Sequence, residues 1–212
     1  LVRARQIADD GDAHRATAVA DSAITHLPGI MGAGGPRRYL LLLGNPAEAR
    51  DLGGHLGNWA ELVVDDAKID VVRVGVPYEL FAPWTEPAPQ LPEDLTLPVS
   101  LEEMQPTRFP QNWSASPDLA TVNRVASALY PQAAGGAPID GVIYADPVAF
   151  AALLGLTGPV EAGGVQLSAD NAVQYLTRDQ FLGDDPQSAP VSDLIRVALD
   201  RLTDNQLPGT EA

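Results

Sequence analysis

The sequence predicts an α/β layered domain, and three observations carry that prediction. Apolar runs of strand length alternate with helical stretches along most of the chain. Glycine or proline punctuates nearly every junction between them. At 212 residues, the chain is long enough to bury a sizeable core without disulfide or metal staples. The expected organisation is an N-terminal helix within residues 1–28, then a single domain over 29–212 with a proline-rich excursion at 77–117.

The elements follow in chain order. AHRATAVADSAITHL, 13–27, is alanine-rich with apolar residues at mixed three and four spacing, which reads as a helix ended by Pro28 and Gly29. RRYLLLLG, 37–44, reads as a central strand buried on both faces. NWAELVVDD and KIDVVRVGVPY read as two strands joined by a tight Asp/Ala turn. In the second, Ile69, Val71, Arg73 and Gly75 alternate with Asp70, Val72, Val74 and Val76. Residues 77–117 carry nine prolines and are too rich in Phe, Trp and Leu for a disordered linker, so the excursion should pack over an edge or end of the sheet. Ser116-Pro117-Asp118 starts a helix running to Leu129 or Tyr130, with Pro117 at or near its first position. IDGVIYAD returns to the sheet, and Asp146-Pro147 opens the helix PVAFAALLGL, ended at Thr157-Gly158-Pro159. VEAGGVQLS reads as a small hairpin or edge strand. Ser168 or Asp170 should cap the helix ADNAVQYLTRDQF, and VSDLIRVALDRL closes the chain as an amphipathic helix starting near Ser192.

Composition narrows the partners. With 28 acidic against 13 basic residues and a formal charge of −15, a nucleic-acid backbone is excluded as a general partner, as is an anionic lipid surface. Any anion site must be local, and every basic residue except Lys68 is an arginine. The absence of cysteine removes disulfides, thiolate metal sites and thiol nucleophiles. No apolar run reaches the length of a membrane span. The first residue is Leu1, so a piece of a longer protein is the expectation.

The loop after the first strand, GNPAEARDLGGHLG, looks like a phosphate cradle but has neither the Walker spacing nor GxGxxG entering a helix. Its glycines then serve tight turns or close packing. Glu48 and Arg50 either form a structural ion pair or display the arginine at a strand end to grip a phosphate or carboxylate. His55 lacks a carboxylate or serine at motif spacing, so its reading is incidental. His14, His26 and His55 have no metal-ligand spacing, and no metal site is expected. Asp65, Asp66 and Asp70 read as a solvated turn, as does the pair Asp184-Asp185. Trp59, Trp84 and Trp113 stack on a sugar or pack the core and excursion.

Taken as ordered blocks, the chain resembles domain of unknown function family 4012, found in envelope-associated bacterial proteins. The resemblance runs from about Leu27 to Leu202. It centres on an N-x-A-E-x-R-x-x-G-G-x-x-G string met by Asn45, Ala47, Glu48, Arg50, Gly53, Gly54 and Gly57. Further blocks lie at Pro117-Asp118, Asp140-Gly141-Val142, Asp146-Pro147, Gly158-Pro159-Val160 and Asn171. It implies an extracellular, membrane-anchored domain, and no activity is established for that family.

The order of features also resembles, more distantly, the LytR-CpsA-Psr family, whose members move lipid-linked glycopolymers onto the cell wall by phosphotransfer. This likeness implies a layered α-β-α sandwich with a central mixed sheet, and Arg178 stands nearest that family's phosphate-binding arginines. The chain departs from it at two places. GGHL replaces an Arg-Ser-Asp-Thr string, and Val76-Pro77-Tyr78-Glu79 replaces Ile-Pro-Arg-Asp. The first departure removes a magnesium ligand and the second a bidentate donor for pyrophosphate. The expected function is therefore binding of an anionic or lipid-linked glycan without the phosphotransferase machinery and without a cofactor. Its ligand-binding residues would be Arg50, Glu48, Arg73, Asp118, Arg178 and Asn45. One alternative is a divergent magnesium-dependent phosphotransferase using Glu48 or Asp118; another is a structural or interaction module in which Glu48, Arg50 and Asp118 hold the sheet to the long loop.

Overall fold

The computed structural model describes residues 25–81, 86–182 and 190–203. Most of the N-terminal helix expected at 13–27 lies outside the described residues, as do Trp84 and Asp184-Asp185. Residues 25–30 are helical (α1), so the helix passes Pro28 and Gly29 and ends at Ile30. By its contacts the chain divides into two compact units, residues 1–37 with 64–69, and 38–63 with 70–212. In the first unit the Met31 carbonyl accepts a hydrogen bond from the Ala67 backbone N–H at 2.7 Å.

The strands are β1 (Arg37–Asn45), β2 (His55–Asp65), β3 (Lys68–Gly75) and β4 (Gly141–Ala145), in the order β3-β2-β1-β4. β2 and β3 are joined by two residues, which only an antiparallel pair permits. β1 and β4 are parallel, with Tyr39 opposite Gly141 and Leu43 opposite Ala145. The sheet is therefore mixed. The first strand is buried on both faces as expected, with Leu40 and Leu42 at 0% exposure and Leu41 at 8%.

The excursion carries a short helix α2 (Val99–Glu103) and two 3-10 turns, Pro77–Glu79 and Pro110–Asn112. It is not a linker: Leu80, Phe81, Leu101 and Trp113 join Leu40 and Leu42 in one buried cluster with Val122, Val125 and Leu129. Those last three lie on α3 (Leu119–Leu129), whose N-cap is Asp118. Pro117 thus precedes the cap instead of starting the helix. Trp59 and Trp113 are core, with their indole N–H groups satisfied by the Val76 and Pro106 carbonyls.

Alternation in β2 slips once. Leu56 and Trp59 both face the α3 side, although three residues apart, while Asn58 between them donates to Ser192 Oγ at 2.9 Å. Ser192 belongs to α6 (Val191–Thr203), whose Leu194, Ile195 and Ala198 are buried outside that cluster. Helices thus flank the sheet on both faces, as an α-β-α layering requires.

Asp146 caps α4 (Pro147–Thr157) by accepting from the Ala149 N–H at 2.8 Å, and Gly158 ends it at φ 80°. β5 (Val160–Ala162) and β6 (Val165–Leu167) form the expected hairpin. The following helix is shorter than its pattern: α5 spans Ala172–Thr177, with Asn171 at the N-cap in place of Ser168 or Asp170. The Asn171 side chain turns back to accept from the Ser168 N–H at 2.7 Å, which closes the turn before the helix starts.

Candidate functional site

The carboxyl ends of β1 and β4 open into a cavity of about 360 Å³ in the second unit. This is the usual position for a ligand in an open α/β sheet. β1 contributes Leu43, Gly44 and Asn45, and the slipped start of β2 contributes His55, Gly57 and Asn58. Asp146 and Phe150 enter from the start of α4, Leu176 from α5, and Val191 and Ile195 from α6. Tyr78 and Phe181, 59% and 43% exposed, also line it, while Phe150 and Ile195 are buried. The mixture of an apolar floor and a few polar groups is that of a small-molecule site.

The polar groups are not equivalent. Asn45 is spent on structure: its Nδ2 donates to the Leu176 carbonyl at 2.7 Å and its Oδ1 accepts from the Ala47 N–H at 3.0 Å. That pair of bonds fixes the loop and ties it to α5. Asn58 is 8% exposed and commits Nδ2 to Ser192, leaving Oδ1 with no protein donor among the described residues. Asp146 spends Oδ1 on its cap, and its Oδ2 has no such donor. The Glu48 carboxylate also accepts no hydrogen bond from the described residues.

His55 is held in place through its backbone N–H, which donates to the Glu48 carbonyl at 2.8 Å. Burial pushes its imidazole below the ordinary 6.5; the Glu48 charge opposes that shift and the Arg50 charge adds to it. A neutral imidazole therefore faces the cavity at pH 7. Beneath the loop, burial and the Asp146 charge push the Tyr144 phenol up to about 12. It remains protonated and hydrogen-bonds the Gly54 carbonyl at 3.4 Å.

Of the six residues expected to bind ligand, Asn45 and Glu48 line this cavity and the other four do not. Arg50 donates from Nε to Asn112 Oδ1 at 3.1 Å and from a terminal nitrogen to the Ala49 carbonyl at 2.7 Å. It makes no ion pair among the described residues, so neither the Glu48–Arg50 pair nor a free displayed arginine describes it. Asp118 has both oxygens engaged, one with Ala120 N–H and the other with the Thr121 N–H and hydroxyl. Arg178 is exposed at the end of α5.

Arg73 belongs to a different centre. It donates to Glu61 at 2.9 Å, to the Tyr130 hydroxyl at 2.6 Å and to the Ala134 carbonyl at 2.9 Å. Its guanidinium lies 5.3 Å from the Trp59 ring centroid and 5.6 Å from that of Tyr130. Glu61, 1% exposed, also receives Arg38 and the Tyr130 hydroxyl. This is a fully paired buried carboxylate, which holds β2 to β3 and α3.

Sequence reasoning missed Asn58, Asp146, His55 and the aromatic pair Tyr78 and Phe181. Asp146 was visible only as a cap, and the rest come from segments that no spacing connects. Glu61 did leave a signal: an acid inside WAELVV, a run otherwise apolar, has to find partners. Among the described residues, no three His, Cys, Asp or Glu side chains converge as a metal site. No described helix is long and apolar enough to cross a membrane.

No curated protein matches the chain. Among solved structures it is similar to the crystal structure of the transcriptional regulator yvhJ from Bacillus subtilis, at 14% identity and a TM-score of 0.42, covering 81% of this chain and 68% of that one. Residues 34–181 match the family described as "Protein of unknown function (DUF4012)". That span includes the β1 strand, the glycine loop, the excursion, α4 and α5, and the chain belongs to this family.

Proposed function

We propose that this is a binding domain of the cell envelope whose cavity takes a ligand with an apolar body and a hydroxyl-rich end, such as a lipid-linked glycan, without transferring it. One observation carries the reading: the cavity joins Leu43, Phe150, Leu176 and Ile195 to the amides and carboxylates of Asn58, Gln111, Glu48 and Asp146. Apolar walls bury a hydrocarbon or sugar face, and carboxylate and amide oxygens accept from hydroxyls. Support for the envelope as its address comes from the family resemblance. Support against transfer comes from the two departures from the LytR-CpsA-Psr pattern, at GGHL and at Tyr78.

The lining does not favour the anionic half of the expectation, because among the described residues neither Arg nor Lys lines the cavity. Dodecyl maltoside, below its micelle concentration, is a suitable probe for calorimetric titration. Saturable binding is expected, with loss on Gly57→Val, since Gly57 lines the cavity and a Cβ there meets only Leu43 O and Asn45 Cβ, at 3.8 and 3.9 Å. The double variant R50A/R178A should bind as the wild type does. No saturable binding, or equal binding by Gly57→Val, overturns the proposal.

A further inference from the structure

We infer that the cavity selects a cationic ligand, a glycan or other apolar-bodied molecule carrying a protonated primary amine. The inference deepens the reading above and rests on the same cavity. Its ground is the charge of the lining, which among the described residues carries two carboxylates and no cationic side chain. Three acceptors face the space without protein donors among the described residues: the Glu48 carboxylate, Asp146 Oδ2 and Asn58 Oδ1. Asn58 is fixed at the wall of the cavity, with its amide nitrogen held by Ser192.

The donors are few. Asn45 Nδ2 is taken by Leu176, and Gln180 Nε2 by the same carbonyl. Among the described residues no guanidinium or ammonium lines the space, and Arg50, the nearest cation along the chain, is turned to Asn112. A phosphate or carboxylate entering here would meet Glu48 and Asp146 with no cationic side chain among the described residues to offset them. An ammonium brings three donors and one positive charge to a lining that carries two carboxylates. Tyr78, Phe150 and Phe181 add ring faces of the kind that attract cations. The chain's charge of −15 acts in the same direction.

The acids have a second consequence. Asp146 both caps α4 and faces the ligand, so replacing it by Asn keeps a good cap while removing the charge. Glu48 sits on the loop that Asn45 fixes, and Gln there preserves the shape. A double variant E48Q/D146N therefore removes both charges with the thermal transition as a check on folding.

The test compares three probe pairs with the intact chain at about pH 6, where primary amines are charged. They are a glucosamine tetramer against its N-acetylated counterpart, dodecylamine against dodecanol, and dodecyl maltoside as the neutral glycan reference against maltose. The amine member of each of the first two pairs should bind at least about tenfold more tightly. In E48Q/D146N that ratio should fall close to one, and in Glu48→Gln alone it should fall part of the way. Equal binding within both amine pairs, or a ratio unchanged in the folded double variant, overturns the inference. If dodecylamine binds with the expected preference while no glycan binds, the amine site stands and the glycan reading falls. If dodecyl maltoside binds and no amine is preferred, the glycan reading stands and the amine site falls.

Discussion

At the residue scale, the most consequential side chain is one that touches no ligand. Glu61 is buried with Arg38, Arg73 and Tyr130 around it, and removing its charge leaves two guanidinium groups and a hydroxyl without their acceptor. Glu61→Gln should lower the unfolding free energy by about 2–3 kcal/mol in urea titrations, whereas Arg50→Ala, which loses one part-buried bond to the Asn112 amide and one exposed bond to a carbonyl, should cost about 1 kcal/mol. His55 makes a different prediction. Its folded pKa lies below 6.5, so the unfolded chain takes up the proton first as pH falls. Stability should be unaffected by His55 at neutral pH and above, then decline as pH drops through about 6.5 toward the folded pKa. NMR titration should place the His55 midpoint below 6.5, lower still in Glu48→Gln and higher in Arg50→Ala, following the two charges that act on it. A midpoint at or above 6.5 would mean the imidazole is solvated and does not face the cavity as a neutral group.

At the element scale, the glycine loop and the β2–β3 turn show what a sequence pattern can and cannot separate. Gly54 has φ 132°, and a Cβ there would lie 2.3 Å from the Asn45 backbone; Gly57 has neither constraint. Gly54→Ala should therefore destabilise by about 3 kcal/mol or prevent folding, and Gly57→Ala by no more than about 1 kcal/mol, in the same urea series. The two look alike in the sequence. One shapes the chain, and the other leaves the cavity open. The turn is the converse case: Asp66 and Ala67 have φ 45° and 66°, the left-handed pair of a tight hairpin, built without glycine. Ala67→Gly should raise stability by about 1 kcal/mol, read as a shift in the urea midpoint at constant slope. The strands, α3, α4 and the hairpin were legible because periodicity and capping residues are local signals. The early end of α5 was not, because the turn through Ser168 and Asn171 competes with the helix and the pattern ADNAVQYLTRDQF records only the latter. Arg73 was misplaced for a related reason. Alternation correctly set its face, but its partners Glu61 and Tyr130 are 12 and 57 positions away.

At the scale of the whole molecule, the sequence states the charge but not where it bears on the site. A surplus of 15 negative charges excludes a polyanion as a general partner, and it left open a local pocket of arginines. The fold disperses those arginines: Arg73 and Arg38 to Glu61, Arg50 to Asn112, Arg178 to the surface, none into the cavity. The field of the molecule and the lining of its cavity therefore have the same sign. Long-range attraction should raise the encounter rate of a cationic ligand and lower that of an anionic one, and salt should erase both effects. For a glucosamine tetramer, stopped-flow association rates should fall about fivefold between about 10 and 150 mM NaCl, with the dissociation rate changing less. The N-acetylated tetramer, carrying no charge, should show almost no dependence, which separates steering from any general effect of salt on the fold. An association rate that rises with salt for the ligand that binds best would reverse the sign assigned to that ligand, and with it the reading of Glu48 and Asp146 as its partners.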